Sequence, residues 1–224
     1  MKKRRILIAD DHAIIRNGLS QILDDTDDLE PAGQAANGTE LQQQLRSESW
    51  DLLILDLSMP GRNGLDLIKV VKADYPKLPI LIFTMHQEEQ YAVRAIRAGA
   101  AGYVTKESDT EVLLSAARKL LGGGVHVSQR VVELLAESVT VKETTQPHTK
   151  LSNREFEVFQ RIVAGQSLTD IAEQLSLSIK TVSTHKSRLM QKLGIGNQTE
   201  LIRYAIDHGL VDRRPEDPVP SGRS

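Results

Sequence analysis

Short apolar runs alternate with helical periods through the first 105 positions, and this alternation constrains the chain more than any other feature of its sequence. Runs fall at residues 6–9, 52–55, 80–83 and 101–104, with a weaker one at 29–35. Continuous apolarity over four or five residues is what a parallel strand covered on both faces requires. Between and after the runs lie positions with helical spacing: Ile15, Leu19 and Ile22; Leu41 and Leu45; Leu67, Ile68 and Val71; Ala92 and Ile96; Leu113, Ala116, Ala117 and Leu120. Five strands alternating with five helices predict an α/β domain over residues 1–122, a doubly wound five-stranded parallel sheet. Right-handed crossovers put helices on both of its faces.

The pattern then changes. Gly122-Gly123-Gly124 breaks the fifth helix; it follows a helix and lacks a Lys-Ser/Thr ending, which argues against a phosphate loop. Residues 123–149 read as a linker carrying one helix capped by Ser128, with Val131, Leu134 and Leu135 on one face. From 150 to 211 only helical periods remain, predicting a small all-α domain. Ser167 and Asp170 offer a capping-box-like start to one of its helices, and Ser178 caps the next. Residues 212–224 hold three prolines and three arginines with little to pack, and a disordered tail is expected there. The apolar run behind Lys2-Lys3-Arg4-Arg5 stops after four residues, too soon for a signal peptide or a membrane span, so a cytoplasmic protein with no membrane partner is expected.

Strand ends carry the chemistry. In doubly wound sheets ligands bind beyond the carboxyl ends of the strands. Asp10 and Asp11 close the first run, Asp56 the third and Thr84 the fourth, and Lys106 follows the fifth. A single strand-end Asp or Thr would merely cap a helix; five polar groups at one rim form a pocket. Three crowded carboxylates call for a divalent cation. The chain has no cysteine, so the donors are oxygen and the expected ion is Mg²⁺. Metal, ammonium and hydroxyl together suit phosphoryl transfer, with a carboxylate oxygen as nucleophile. By spacing alone, Tyr103 reads as a strand aromatic with its hydroxyl at the surface, and His12 and His86 as solvated residues near the rim.

Asp10-Asp11, Asp56 followed by Leu57-Ser58-Met59-Pro60-Gly61, Thr84, and Tyr103 three positions before Lys106 together resemble the receiver domain of bacterial two-component response regulators. The resemblance spans residues 4–121. It implies that Asp56 accepts the phosphoryl group, with Thr84 and Lys106 assisting. Asp10, Asp11, Asp56 and the Ser58 carbonyl would hold Mg²⁺. Thr84 and Tyr103 would form the switch, the tyrosine rotating inward as the threonine moves. Glu107 departs from the proline that many receivers carry after the lysine.

The formal net charge of −2 argues on its face against nucleic acid, but it averages unlike halves. Residues 1–125 carry 15 Lys+Arg against 18 Asp+Glu, whereas residues 150–224 carry 11 against 9. Residues 174–199 include Lys180, Lys186, Arg188 and Lys192 and no acid. Positions 180, 184, 187, 188 and 191 share a helical face opposite Val182 and Leu189, as a helix-turn-helix requires. Leu151-Ser152-Asn153-Arg154-Glu155, Ile171-Ala172, Ser178-Ile179-Lys180-Thr181-Val182 and Lys192-Leu193-Gly194 resemble the LuxR-type DNA-binding domain. The whole chain thus resembles a NarL/FixJ-type response regulator.

That resemblance implies base-facing roles for Ser183, Thr184 and Ser187, and phosphate contacts for Lys180, Thr181, Arg188 and Lys192, helped by Thr169. Counting all four cations of residues 174–199, Lys180, Lys186, Arg188 and Lys192, as contacts predicts, for a dimer, a slope of log K against log salt of about −7. The implied partners are double-stranded DNA, a sensor histidine kinase and a second copy of the chain. The expected function is a transcription regulator, not an enzyme, in which phosphorylation of Asp56 favours a DNA-binding dimer, although the receiver could catalyse its own Mg²⁺-dependent phosphorylation and dephosphorylation. Two alternatives stay open. One is a regulator that binds DNA without phosphorylation and uses the receiver to dimerise. The other is a phosphatase or phosphotransferase, disfavoured because Ser58 stands where a second catalytic acid would be needed.

Overall fold

The computed structural model describes residues 3–60, 63–86, 88–140 and 146–210; the tail expected at 212–224, like Gly61, lies outside them. The chain divides into two compact units, the first running to residue 145 and the second starting at 146, except that residues 174–176 group with the first.

In the first unit, β1 (Arg4–Ala9), β2 (Leu29–Ala35), β3 (Leu52–Leu55), β4 (Ile80–Thr84) and β5 (Gly102–Thr105) alternate with α1 (Ala13–Asp24), α2 (Gly38–Ser47), α3 (Gly64–Asp74), α4 (Glu88–Ala98) and α5 (Thr110–Leu121). The strands are parallel, in the order β2-β1-β3-β4-β5. Period-two alternation divides the central strands between two cores. Ile6, Ile8, Leu52, Ile54, Leu81 and Phe83 pack with Leu19 and Leu23 of α1 and Leu113, Ala116 and Leu120 of α5. The odd partners Leu7, Leu53 and Leu55 and the α2 and α3 side chains Leu41, Leu67 and Val71 are likewise buried. Both faces are therefore covered, which is why these strands read as unbroken apolar runs.

The first unit continues past the domain boundary expected at residue 122. After Gly122, the His126 amide donates to the Ala101 carbonyl (3.0 Å) and the Tyr103 amide donates to the His126 carbonyl (2.9 Å), adding a single bridge beside β5. Helix α6 (Gln129–Thr140) follows, started by Ser128, whose hydroxyl accepts from the Val131 amide, and it packs against α4. Val131 is fully buried, so this helix has a packed face of its own.

The second unit opens with a 3₁₀ turn (Pro147–Lys150) and holds α7 (Asn153–Val163), α8 (Leu168–Gln174), α9 (Ile179–Leu193) and α10 (Gln198–Asp207). Side-chain caps set these starts. Ser152 and Glu155 form a capping box, Ser167 and Asp170 bond reciprocally, Ser178 accepts from the Thr181 amide and Asn197 from the Glu200 amide. Helix α9 ends at Gly194, whose φ of 68° is left-handed and favours glycine. Phe156, Phe159, Ile171, Val182, Leu189 and Leu201 are among the buried side chains.

Candidate phosphoryl pocket and nucleic-acid interface

Because all five strands run the same way, their last residues meet at one edge. Strand order reverses at β1, which is flanked by β2 and β3, and a crevice opens where crossovers leave in opposite directions. Backbone ladders extend into the loops and fix the site residues. The Asp56 amide donates to the Ala9 carbonyl (2.8 Å), the Asp10 amide to Ala35 (3.1 Å) and the Lys106 amide to Thr84 (2.9 Å). The turn after Lys106 is closed by the Ser108 amide on the Thr105 carbonyl and by paired Thr105 and Ser108 hydroxyls.

Lys106 lies between two buried carboxylates. Its Nζ is 2.6 Å from Asp10 Oδ2 and 2.8 Å from Asp56 Oδ2, and all three side chains are at most 5% exposed. Burial alone would push its pKa down, but hydrogen bonds and charge from Asp10 and Asp56 outweigh this and hold the ammonium above the ordinary lysine value. The Ser58 amide donates to Asp56 Oδ1 (3.1 Å) and the His12 amide to Asp10 Oδ1 (2.8 Å). Arg16 Nη1 donates to the Asp10 carbonyl.

Ligand atoms of Asp10, Asp11, His12 and Asp56 all lie within 4.8 Å of one another. Three carboxylates face one ammonium there, so charge and donor chemistry both fit a hard divalent cation. The donor set also includes His12, which sequence reading left outside. Its Nδ1 is 3.0 Å from Asp11 Oδ1 and 3.3 Å from Asp10 Oδ1. Only its place directly after the Asp pair could have signalled this.

Thr84 is fully buried at the end of β4, and its hydroxyl has no hydrogen-bond partner among the described residues. A buried hydroxyl without a partner is costly. Tyr103 corrects the expectation of a surface hydroxyl, being 2% exposed with its OH donating to the His86 carbonyl at 3.1 Å. Inward packing wins because the ring lies on the buried face of the sheet opposite Val104 while the OH finds a backbone acceptor in the loop after β4. His86 is not simply solvated either. Its ring stacks on Tyr91 at 4.0 Å, and its Nε2 is 3.3 Å from the Ser58 hydroxyl. These contacts link the residue two past Asp56 to helix α4.

The second unit presents the expected residues unevenly. Thr169, Lys180, Thr184, Ser187 and Arg188 are exposed, while Thr181 and Ser183 are half-buried. The Thr184 hydroxyl donates to the Lys180 carbonyl and Ser187 to the Ser183 carbonyl. Lys192 is committed elsewhere, with its Nζ 2.6 Å from Glu155 Oε2. Although burial works against it, hydrogen bonds from Lys192 and Ser152 hold the Glu155 carboxyl below the ordinary value. Lys186 donates to the Gln198 side chain. His185, on the inner flank of α9, is pushed below the usual imidazole range by burial first and then by Arg154. Among the described residues no helix is long and apolar enough to cross a membrane.

Known proteins resemble this chain over both units. A family model described as "Response regulator receiver domain" matches residues 6–118, and one described as "Bacterial regulatory proteins, luxR family" matches residues 149–205. The oxygen regulatory protein NreC of Staphylococcus carnosus is 38% identical over 215 residues, covering 93% of this chain and 99% of the relative. A structure of the RcsB response regulator from Salmonella typhimurium is 31% identical with a TM-score of 0.68, covering 92% of this chain and 98% of that one. RcsB from Salmonella enterica serovar Typhimurium bound to promoter rprA in the presence of the phosphomimetic BeF₃⁻ is 30% identical with a TM-score of 0.63, covering 91% and 98%.

Proposed function

Because the chain belongs to the bacterial response regulators that join a receiver domain to a LuxR-type DNA-binding domain, we propose that phosphoryl transfer to Asp56 controls how its second domain engages duplex DNA. The donor is a phosphohistidine on a sensor kinase. An Asp56 carboxylate oxygen forms the new P–O bond as the P–N bond breaks, and the departing imidazole takes up a proton. Lys106, already 2.8 Å from Asp56 Oδ2, neutralises charge on the transferring group. The unpartnered Thr84 hydroxyl donates to a phosphoryl oxygen. Asp10, Asp11, Asp56 and the Ser58 carbonyl would hold Mg²⁺, which would supply Lewis-acid neutralisation of the phosphoryl oxygens. The receiver thereby catalyses its own phosphorylation and dephosphorylation.

The observation that carries this reading is the buried Asp56 carboxylate, fixed by Lys106 and the Ser58 amide beside two further carboxylates. Negative charge added there draws on Thr84, and Tyr103 and His86 pass the change to α4. Two copies then bind DNA in the cytoplasm, each placing α9 in the major groove. Lys180, Thr181 and Arg188, with Thr169 at the margin, face phosphates, while Lys192 stays on Glu155; Ser183, Thr184 and Ser187 face bases. The exposed Ile206 of α10 suits the contact between copies.

Asp56→Asn should abolish Mg²⁺-dependent labelling by a small phosphodonor such as acetyl phosphate; labelling that survives would refute the assignment. Beryllofluoride should raise DNA affinity, and unchanged affinity would favour a regulator that binds DNA without phosphorylation. Turnover of phosphate monoesters would instead favour a phosphatase.

A further inference from the structure

Helix α9 carries an unusual polar face. Its buried line runs through Val182, Leu189 and Leu193. At 100° per residue, Lys180, Thr184, Ser187 and Gln191 lie within about 40° of the opposite pole, and all four are exposed. At the centre of this face stand two hydroxyls one turn of helix apart. Each has one proton, and each proton is in use: Thr184 Oγ1 donates to the Lys180 carbonyl at 2.9 Å and Ser187 Oγ to the Ser183 carbonyl at 3.0 Å. Such bonds to the carbonyl four residues back are a common habit of helical Ser and Thr. Here they have a chemical consequence, because what remains pointing outward is lone pairs.

We infer that Thr184 and Ser187 act as acceptor-only readers, so that on the strand lying against them the half-site opposite the middle of α9 presents an exocyclic amino group, cytosine N4 or adenine N6, and not guanine. This rests on the DNA-binding reading of α9 given above and makes it more specific. In the major groove the amino groups of cytosine and adenine are the donors, whereas guanine shows only the N7 and O6 acceptors. To meet guanine, a hydroxyl would have to leave its carbonyl and rotate, losing a hydrogen bond whose net value corresponds to roughly three- to tenfold in affinity. Donors on the same face, Lys180 and Arg188, are long enough to reach the flanking backbone, so polarity changes from acceptor at the centre to cation at the rim. The discrimination is therefore against acceptor edges at the centre, not for one base.

The test uses the full-length chain with beryllofluoride and Mg²⁺, and a duplex pool randomised across its centre. Selection should enrich adenine or cytosine over guanine on the strand whose bases α9 protects from chemical modification. In a selected duplex, replacing that adenine with purine, or that cytosine with 2-pyrimidinone, removes only the amino group. Wild type should then lose about three- to tenfold in affinity, and the Thr184→Val/Ser187→Ala variant less than twofold. Two results overturn the inference while leaving DNA binding intact. One is enrichment of guanine with weakening by 7-deazaguanine; the other is an equal loss in wild type and variant when the amino group is removed. If no duplex is bound in a salt-dependent way, the DNA-binding reading fails and this inference with it. Because the base analogues act on the DNA side, a variant that folds poorly cannot mimic either outcome.

Discussion

Replacing Lys106 with methionine tests the electrostatics of the pocket most directly. The ammonium sits within 2.8 Å of Asp10 and Asp56, with both carboxylates at most 2% exposed. Its removal leaves two buried negative charges facing one another. Breaking a buried pair by deleting one partner costs about 3–5 kcal/mol. With a urea dependence of about 2 kcal/mol per molar for a domain of this size, the midpoint should fall by roughly 1.5–2.5 M in chelator. Excess Mg²⁺ stabilises whichever form binds it, by about 2.7 kcal/mol at a hundred times the dissociation constant. It should stabilise the variant more, because the competing ammonium has gone. The gap between wild type and variant must therefore narrow when Mg²⁺ is added. Trp50 is the sole tryptophan and lies in the first unit, its indole N–H donating to the Gln44 carbonyl. Its fluorescence reports that unit alone. The wild-type pH dependence has a definite sign. With the folded lysine pKa raised, its contribution is complete below about pH 10 and lost as pH rises through the folded value. A midpoint loss under about 0.5 M, or one equally large with and without Mg²⁺, would refute this account.

Glu155→Gln should cost about 1–3 kcal/mol and free Lys192; since the Glu155 pKa is lowered, wild-type stability from this group is present above the unfolded value and lost as pH falls through the folded one, an acid limb in circular dichroism that the variant should lack. Gly64→Ala would bring a Cβ to 2.5 Å from the Leu57 carbonyl oxygen, so backbone must shift; a loss of about 1–3 kcal/mol in Trp50-monitored unfolding is expected, together with slower phosphodonor labelling as the loop carrying Ser58 moves. Tyr103→Phe removes the bond to the His86 carbonyl and should cost about 0.5–1.5 kcal/mol while weakening the beryllofluoride effect on DNA affinity. With Lys192 on Glu155 and Lys186 on Gln198, two cations per protomer remain for phosphates, so log K against log salt should fall with a slope of about −4 for a dimer, not the −7 expected from counting lysines and arginines.

The difference between those slopes shows where sequence reading stops. Strand order, helix faces and the rim of Asp10, Asp56, Thr84 and Lys106 were legible because period and topology are encoded locally and repeated five times. Helix starts were legible at Ser128, Ser167 and Ser178 because each acts on the amide three residues away. The partner of Lys192 was not legible because it is on another helix, and charge counting cannot tell a cation facing DNA from one already neutralised. Tyr103 was misjudged for a related reason: its acceptor is a backbone carbonyl seventeen residues earlier, invisible in the spacing of either strand. The packing of α6 escaped because one apolar face on a helix says that it is covered but not by what.

Lys106 and Lys192 also show how burial separates a working charge from a supporting one. Lys192 is 41% exposed; its bond to Glu155 ties α9 to α7, and water screens what it contributes. Lys106 and its two carboxylates are almost completely dehydrated, and attraction between such charges often fails to offset the cost of taking them out of water. Apolar residues of similar volume would hold β1, β3 and β5 together at least as well. Stability therefore gives no reason for three buried charges at this edge, beside a threonine hydroxyl with no partner among the described residues. The group that would satisfy all of them carries both negative oxygens for Lys106 and Thr84 and a compensating cation for the carboxylates, and a phosphoryl group with a divalent metal does both.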